Sequence, residues 1–597
     1  MSDDPDDFDN LFAGLGPVGD GDPADGRQAP PLSPAPPDGR DFDALRRAAA
    51  LPLNDFGNAQ RFVTHFGRDL LFIGHVGWHV WTGSVWASDD EIARGVSPLV
   101  RSKAHQMGAL IEAETQFLEI PPAIKHLLAQ EEATKTALSV FMAASVRDKT
   151  PEDRLEEQRL KKLLAKIERV KDDESSVVGQ RLRHAKNAGN SGPLSAMISE
   201  ASVSLARSLE VMDATPLDIN TLSGVMRFWV QKGSDGWNSA DMHLMPHARE
   251  HLLTKIMPIN YDPAAESPLF DAFMARVQPD PNMRAYIQRW LGLSLTGVPV
   301  QKLAFWYGAG ANGKSVLIDL ISRIMGNYAA TAKIESLTGK NKRSGGDATP
   351  DLVPLIGARL VRASEPEEGE RFQEGLIKEL TGGEPILVRA LHSDFVQVKP
   401  YFKLTISGNH KPEIRGTDDG IWRRLMLVPW DVQIPEKERD VSLGDKLWDE
   451  RSGILNWLAA GLIAYLEEGL QEPAQVVAAT QEFREESDPV GGFLAACCHV
   501  SGDERDRIAA RDLGEAFNFW RGRIGENEWK LGSVARKLKE KSKRWKSPVT
   551  GRGFTEHKSS TMSYIGIAFV EPFGRDFRDA PRDQQGRILR SRSAGDT

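Results

Sequence analysis

"WYGAGANGKSVLIDL", Trp306 to Leu320, decides how the middle of this chain folds. An apolar run, "LAFWY", leads into it and reads as a strand, and "SVLIDLISRIM" follows it and reads as a helix. Between them Gly308, Ala309, Gly310, Ala311, Asn312, Gly313, Lys314 and Ser315 fit the pattern G-x-x-x-x-G-K-[ST]. Glycines let such a backbone curl until successive N–H groups point inward at phosphate oxygens. A helix starting near Lys314 adds the positive end of its dipole. Lys314 then reaches the β- and γ-phosphates and Ser315 ligates Mg²⁺. The ligands expected are therefore ATP and Mg²⁺. The bland alternative is a glycine turn that holds nothing.

A nucleoside triphosphatase also needs an acid at the metal and a group that orients water. "ARLVRASEPEEG" supplies a predicted strand, Arg359 to Ser364, that ends in Glu365. An acid at the C-terminal end of a strand in such a sheet lies beside the phosphates. Glu365 is the expected Mg²⁺ and water acid, with Glu367 and Glu368 as alternative general bases. Taken alone, the cluster would be a solvated loop. "PYFKLTISGNHKP" predicts a strand from Phe402 to Ser407 that ends in Gly408-Asn409. The Asn409 amide is placed to hold the attacking water or to sense the γ-phosphate. "GTDDGIWRRLMLVPW" sets Arg423 and Arg424 before another strand. They are either surface charge or an arginine finger, which stabilises charge on the transferring phosphoryl group.

Outward from this region the chain has 597 residues, enough for three or four domains, and a net charge of −9. The first forty residues are rich in Asp, Pro and Gly and are expected to stay disordered. Without them the remainder is close to neutral, which leaves room for a local basic surface. Cys497 and Cys498 are adjacent, which excludes a disulfide framework and paired C-x-x-C zinc spacing and fits a reducing cytoplasm. "GILNWLAAGLIAYLEEGL" reads as a buried amphipathic helix, so no membrane span is expected. Residues 41–130 read as a small mixed domain, with a hairpin in "LLFIGHVGWHVWTGSVWASDD". Residues 131–175 read as a charged helical segment, with Leu155, Leu160, Leu163, Leu164 and Ile167 on one stripe. It is an exposed or coiled helix, or an arm for a partner. Residues 176–298 read as mostly helical, 299–485 as an ATPase domain, 486–573 as a small domain and 574–597 as a flexible tail.

In this order, "GANGKS", "RLVRASEPEEG", "IKELTGGEPILVRALHSDFVQVKPYFKLTISGNHKP" and "DDGIWRRLMLVPW" resemble the superfamily 3 helicases. The likeness is to the phage and plasmid primase–helicases, related to the poxvirus-type replicative helicase, and runs over roughly residues 50–500. It implies an α/β P-loop core of AAA+-like type, assembled as a homo-oligomeric ring, usually a hexamer. It also implies translocation on single-stranded DNA and work on forked DNA. On the family's motifs, Walker A falls on Gly308 to Ser315 and Walker B on the strand ending at Glu365. Asn409 matches the sensor, and Arg424 matches the arginine finger, with Arg423 as the alternative. The family's channel hairpin falls on Ile386–Leu391 and Phe395–Pro400, with His392-Ser393-Asp394 at its tip. Arg389, His392 and Lys399 are candidate DNA-phosphate contacts. For Lys399 a solvated strand end competes.

"LGSVARKLKEKSKRWKS", residues 531–547, is strongly basic, and "GRGFTEHKSSTMSYIGIAFVE" reads as a hairpin. Helix followed by β-ribbon suggests a winged-helix-like domain whose basic helix binds DNA. The expected activity is thus an ATP-dependent replicative DNA helicase of phage or plasmid type, cytoplasmic (in the host, if phage-encoded), working with a separate primase or other replication proteins. The rivals are a primase or primase–helicase proper, a DNA-loading or packaging ATPase, and a non-catalytic scaffold. Residues 1–130 hold no zinc-ligand cluster and no paired-acid polymerase motif that would favour primer synthesis.

Overall fold

The computed structural model describes residues 41–583, apart from 75, 90–96, 120, 144–149, 174–175, 234–237, 340–348, 390–394 and 415–418, together with residue 588. The expected disordered tail, residues 1–40, and the expected hairpin tip, His392-Ser393-Asp394, fall outside these.

A five-stranded, wholly parallel sheet organises the molecule. Its strands are β1 (Leu303–Tyr307), β2 (Ala329–Ala332), β3 (Leu360–Ala363), β4 (Lys403–Gly408) and β5 (Leu425–Pro429), and their spatial order is β5-β1-β4-β3-β2. β1, β3, β4 and β5 are short runs buried along most of their length, as central parallel strands are, whereas the edge strand β2 buries only Ala332. The strands predicted around Glu365, Asn409 and Arg424 all form, within a residue or two of the predicted ends. Strand β4 lies between β1 and β3 although it comes after both in sequence. That insertion places the residue after β4 between the residues after β1 and β3.

Two apolar layers cover the sheet. On one side Trp290, Trp306, Leu317, Ile321, Trp430 and Leu458 belong to one core. On the other, Phe305, Leu337, Phe372, Leu404 and Trp422 form a second. The helix Arg451–Glu468 is the expected buried one. Its buried residues run almost all the way round it, so it is enclosed more than amphipathic. Among the described residues no helix is long and apolar enough to cross a membrane.

The N-terminal region departs from the expected divisions. The predicted hairpin is a meander of Leu70–Ile73, Gly77–Trp81 and Trp86–Ser88. Ala206–Arg207 then pairs in parallel with its first strand. Helix Ser191–Ser204 packs Leu194, Met197 and Ala201 into one core with Ala59 and Phe62 of helix Asp55–Phe66. The mixed unit thus closes near residue 207 rather than 130. A buried ionic group ties it together: Arg61 Nε donates to Glu114 Oε1 at 2.8 Å, and Arg181 donates to the other carboxylate oxygen. Arg61 also donates to the carbonyls of Leu51 and Pro52, so its charge is compensated on every side.

The charged segment forms two helices, Glu131–Ala143 and Pro151–Asp172, joined by a Lys171–Glu131 ion pair of 2.8 Å. Ile167 is buried, but Leu155, expected on the same stripe, is 71% exposed. Residues 176–298 are not mostly helical either. Asp218–Thr221, Gly224–Lys232 and Asn238–Met245 form an antiparallel sheet. The reason is legible in "LDINTLSGVMRFWV": two β-prone runs flank a Ser-Gly turn.

The C-terminal region follows the order helix Pro489–Cys497, strand Arg507–Ala509, helix Ala510–Arg523, helix Leu531–Arg544, strands Thr555–Lys558 and Met562–Ile565. The three strands form one antiparallel sheet. Residues 574–579, assigned to a flexible tail, instead continue helix Phe573–Asp579, and Phe577 is buried in this core. Its burial explains the ordering.

Candidate nucleotide site

The loop after β1 is shaped by its surroundings. Gly310, Ala311 and Gly313 take positive φ of 87°, 49° and 84°. A Cβ on Gly308 would sit 2.2 Å from the Trp430 carbonyl oxygen, so only glycine fits there. That carbonyl also accepts from Asn312 Nδ2 at 3.1 Å, and Ile434 N–H donates to the Ala311 carbonyl at 2.7 Å. The segment leaving β5 therefore braces the loop from behind. This support, from Trp430 and Ile434, was not foreseen. Its only sequence sign is the apolar "LMLVPW" run.

Helix Lys314–Met325 begins on the loop's last glycine. Lys314 is 5% exposed, and its Nζ donates to the Gly308 carbonyl at 2.7 Å and to Asn409 Oδ1 at 3.3 Å. Burial lowers its pKa from the usual lysine range, and the Glu365 charge opposes that shift. Asn409 in turn donates to Glu365 twice, from its backbone N–H to Oε1 at 2.6 Å and from Nδ2 to Oε2 at 3.1 Å. One amide thus links the cation to the carboxylate, and its oxygen and nitrogen can satisfy both only in this orientation. These contacts exist because β4 is inserted between β1 and β3. Three predicted residues meet at one edge of the sheet.

Ser315 is exposed on the first turn of the helix, open to a ligand. Glu365 is half-buried, whereas Glu367 and Glu368 are exposed on the following turn. Lys314, Ser315, Asn409 and Glu365 are a fitting donor set for a phosphate chain with a hard divalent ion: one cation, a hydroxyl, an amide and a carboxylate. Among the described residues there is no His/Cys/Asp/Glu cluster able to hold a metal without such a ligand.

Arg424 lies elsewhere. It precedes β5, and Leu425 is in register with Leu303, so it sits at the N-terminal edge of the sheet. A five-residue strand spans roughly 15 Å, which separates Arg424 from the loop of its own chain. Arg424 is 7% exposed, with Nη1 donating to the Gly420 carbonyl at 2.7 Å. Arg423 is exposed, and its Nη2 donates to Gln301 Oε1 at 3.4 Å. The hairpin is shorter than expected, Ile386–Val388 paired with Val396–Val398. Arg389 lies just past the first strand on the turn side, over the Phe395 ring at 5.0 Å, and Lys399 is exposed at the end of the second strand.

Comparison with known sequences bears on this arrangement. Residues 59–279 match the family described as "D5 N terminal like", and residues 306–424 match a family of unknown function, DUF5906. The second match spans the loop, Glu365, Asn409 and Arg424. "Putative helicase L207/L206" of Acanthamoeba polyphaga mimivirus is 30% identical over 268 residues. These matches support a phage or viral primase–helicase family for the chain. "Putative helicase 022R" of Frog virus 3 is 33% identical over 269 residues. "Putative helicase 184R" of Invertebrate iridescent virus 6 is 22% identical over 530 residues. These alignments cover 42%, 42% and 82% of this chain but only 28%, 27% and 51% of the relatives. The chain thus spans between about a quarter and a half of the length of those relatives. A solved structure, the apo C-terminal region of NrS-1, is 11% identical over 57% of this chain and 96% of its own, with a TM-score of 0.33.

Proposed function

We propose that this chain is an ATP-dependent DNA helicase of the superfamily 3 type. The observation that carries the reading is the Lys314–Asn409–Glu365 connection at the C-terminal edge of a sheet ordered β5-β1-β4-β3-β2. In it the loop 308–315 is a P-loop that cradles the phosphates of ATP, and Lys314 exchanges its Gly308 carbonyl for phosphate oxygens. Ser315 and Glu365 hold Mg²⁺, and Glu365 with Asn409 orients the attacking water. The names of the viral relatives support DNA as the substrate. The location of the arginine pair supports a ring. A side chain at the far edge of the sheet cannot serve its own P-loop, but it can serve a neighbour's. Exposure favours Arg423 over Arg424 for that role. The order of elements in residues 489–565 supports a winged-helix assignment there.

Strand displacement tests this reading. Tailed duplexes of each polarity, with ATP and Mg²⁺, are expected to be unwound from one polarity only, and Lys314→Ala is expected to abolish it. ATP turnover without displacement of any substrate would transfer the chain to the loading or packaging ATPases. Primer synthesis on a single-stranded template would favour the primase reading carried by the African swine fever virus relatives, each named "Putative primase C962R".

A further inference from the structure

Helix Ala474–Glu486 packs against β5, where its Thr480 hydroxyl accepts from the Leu427 N–H at 2.9 Å. Its last turn makes three attachments. The first is to Lys411, two residues past Asn409, whose ammonium donates to Glu486 Oε2 at 2.8 Å. The same ammonium lies over the Phe483 ring at 5.4 Å and the Tyr307 ring at 5.2 Å. Tyr307 is the residue before Gly308, so Lys411 both follows the strand that ends at Asn409 and covers the entry to the phosphate loop. The second attachment is to the helix ahead of the arginine pair: Phe483 meets Trp422 edge-on at 5.4 Å, and Arg484 pairs with Asp419. The third is to the C-terminal region, whose first helix, Pro489–Cys497, starts only two residues further on. Asp488 Oδ1 accepts from the Gly491 N–H at 3.1 Å and caps that helix, while Oδ2 accepts from Lys541 of helix Leu531–Arg544. The N–H groups of Ser487 and Asp488 donate to the Phe483 and Glu485 carbonyls, both at 3.0 Å, so helical bonding runs up to the boundary without slack.

We infer that Lys411 is a positioning residue through which the C-terminal domain acts on ATP turnover, an inference that rests on the ATPase reading above. The path is contiguous: Lys541 holds Asp488, the turn 483–488 is rigid, Glu486 holds Lys411, and Lys411 fixes the course of the chain as it leaves Asn409. Asn409 is the sensitive end of that path. Its amide spans from Lys314 to Glu365 with bonds of 3.3 and 3.1 Å, so a small displacement loses one or the other. The ion pair does little for folding, since Glu486 is half exposed and water competes for both charges. What it supplies is place: a carboxylate and two ring faces define where one ammonium can sit. Releasing the C-terminal domain at Asp488 lets the turn shift, and the shift is felt at the amide.

The test is a double-variant cycle on the full chain, with ATP turnover followed by phosphate release in the absence of DNA. Lys411→Met keeps the apolar stem and removes the charge. Its kcat is expected to fall about tenfold at unchanged KM for ATP, and Lys411→Arg is expected to restore it. Lys541→Ala, in the other domain, is expected to lower kcat about threefold. Both act through one turn, so Lys411→Met/Lys541→Ala is expected to fall no further than Lys411→Met, whereas independent sites would multiply to about thirtyfold. Arg523→Ala, which opens a 2.6 Å ion pair to Asp576 within the C-terminal region, is the control and is expected to leave turnover unchanged. If Lys411→Met is unfolded at the assay temperature, Glu486→Gln takes its place in the cycle with the same expectations. Multiplying effects in the double variant overturn the inference. So does full turnover in either single variant, or a loss in Arg523→Ala equal to that in Lys541→Ala. A wild-type chain that hydrolyses no ATP overturns the ATPase reading itself.

Discussion

Two lysines mark the two edges of the central sheet. Lys314 stands at the C-terminal edge and Lys403 at the N-terminal edge, and both are nearly inaccessible to water. Lys403 donates to the carbonyls of Thr296, Val298 and Tyr401 at 2.5, 3.2 and 3.1 Å, three acceptors for the three N–H bonds of an ammonium. Burial and the neighbouring Arg359 charge pull its pKa well below the usual lysine range. Arg359 itself donates to the carbonyls of Asp218 and Leu295 and lies over the Tyr328 ring. This edge is saturated: strands β3 and β4 are fastened to the preceding region by bonds that leave nothing over. Lys314 has one carbonyl and one long contact to an amide. In the proposed P-loop a phosphate would supply the acceptors that these surroundings lack. Equal burial therefore separates neither lysine from the other. The number and permanence of the acceptors do, and they mark one edge as chemistry and the other as anchorage.

The largest effect should come from the open edge. Lys314→Ala is expected to reduce ATP turnover to background, measured by phosphate release, while the thermal midpoint stays within a degree or two. A large drop in that midpoint would erase the contrast, because Lys314 would then be anchorage too. Next comes the exception at the saturated edge. Arg423→Ala is expected to lower turnover on the order of 10³-fold with ATP binding retained, as loss of an arginine finger does. Mixing it with Lys314→Ala should recover activity at interfaces that pair an intact loop with an intact arginine. Should Arg424→Ala behave this way and Arg423→Ala stay active, the buried arginine carries the role and must move outward to do so.

Glu365→Gln is expected to slow hydrolysis on the order of 10²-fold with ATP binding intact. Wild-type rates would shift the role to Glu367 or Glu368. Lys403→Met should act mainly on stability. Three carbonyls lose their donor, costing about 2–4 kcal/mol, so the midpoint should fall by roughly 4–10 °C. Turnover below the transition should change little. If Lys403→Met instead abolished turnover in a folded protein, the two edges would be coupled more tightly than their bonds suggest.

The core strands and the site residues on them were legible because each motif ends an apolar run. "LAFWY", "LVRA" and "KLTISG" stop where Gly308, Glu365 and Asn409 begin. Their spatial order was not legible, since pairing β4 between β1 and β3 joins residues about forty and a hundred positions apart. The limit of the N-terminal unit was hidden for the same reason: Phe62 meets Met197 and Ala201 across more than 130 residues. Nor could periodicity show that Arg424 turns inward and Arg423 outward. That depends on the short helix Asp419–Trp422, whose Gly420 carbonyl captures Arg424.

The strand length that keeps the arginine pair from its own nucleotide has a kinetic consequence. In the proposed ring, a single copy holds half of two sites and all of none. Its turnover per molecule is then a property of assembly and should climb with protein concentration more steeply than in proportion, falling away on dilution while each copy remains folded and charged with ATP. Fuel would be consumed only where copies have gathered on DNA, and a solitary chain would idle.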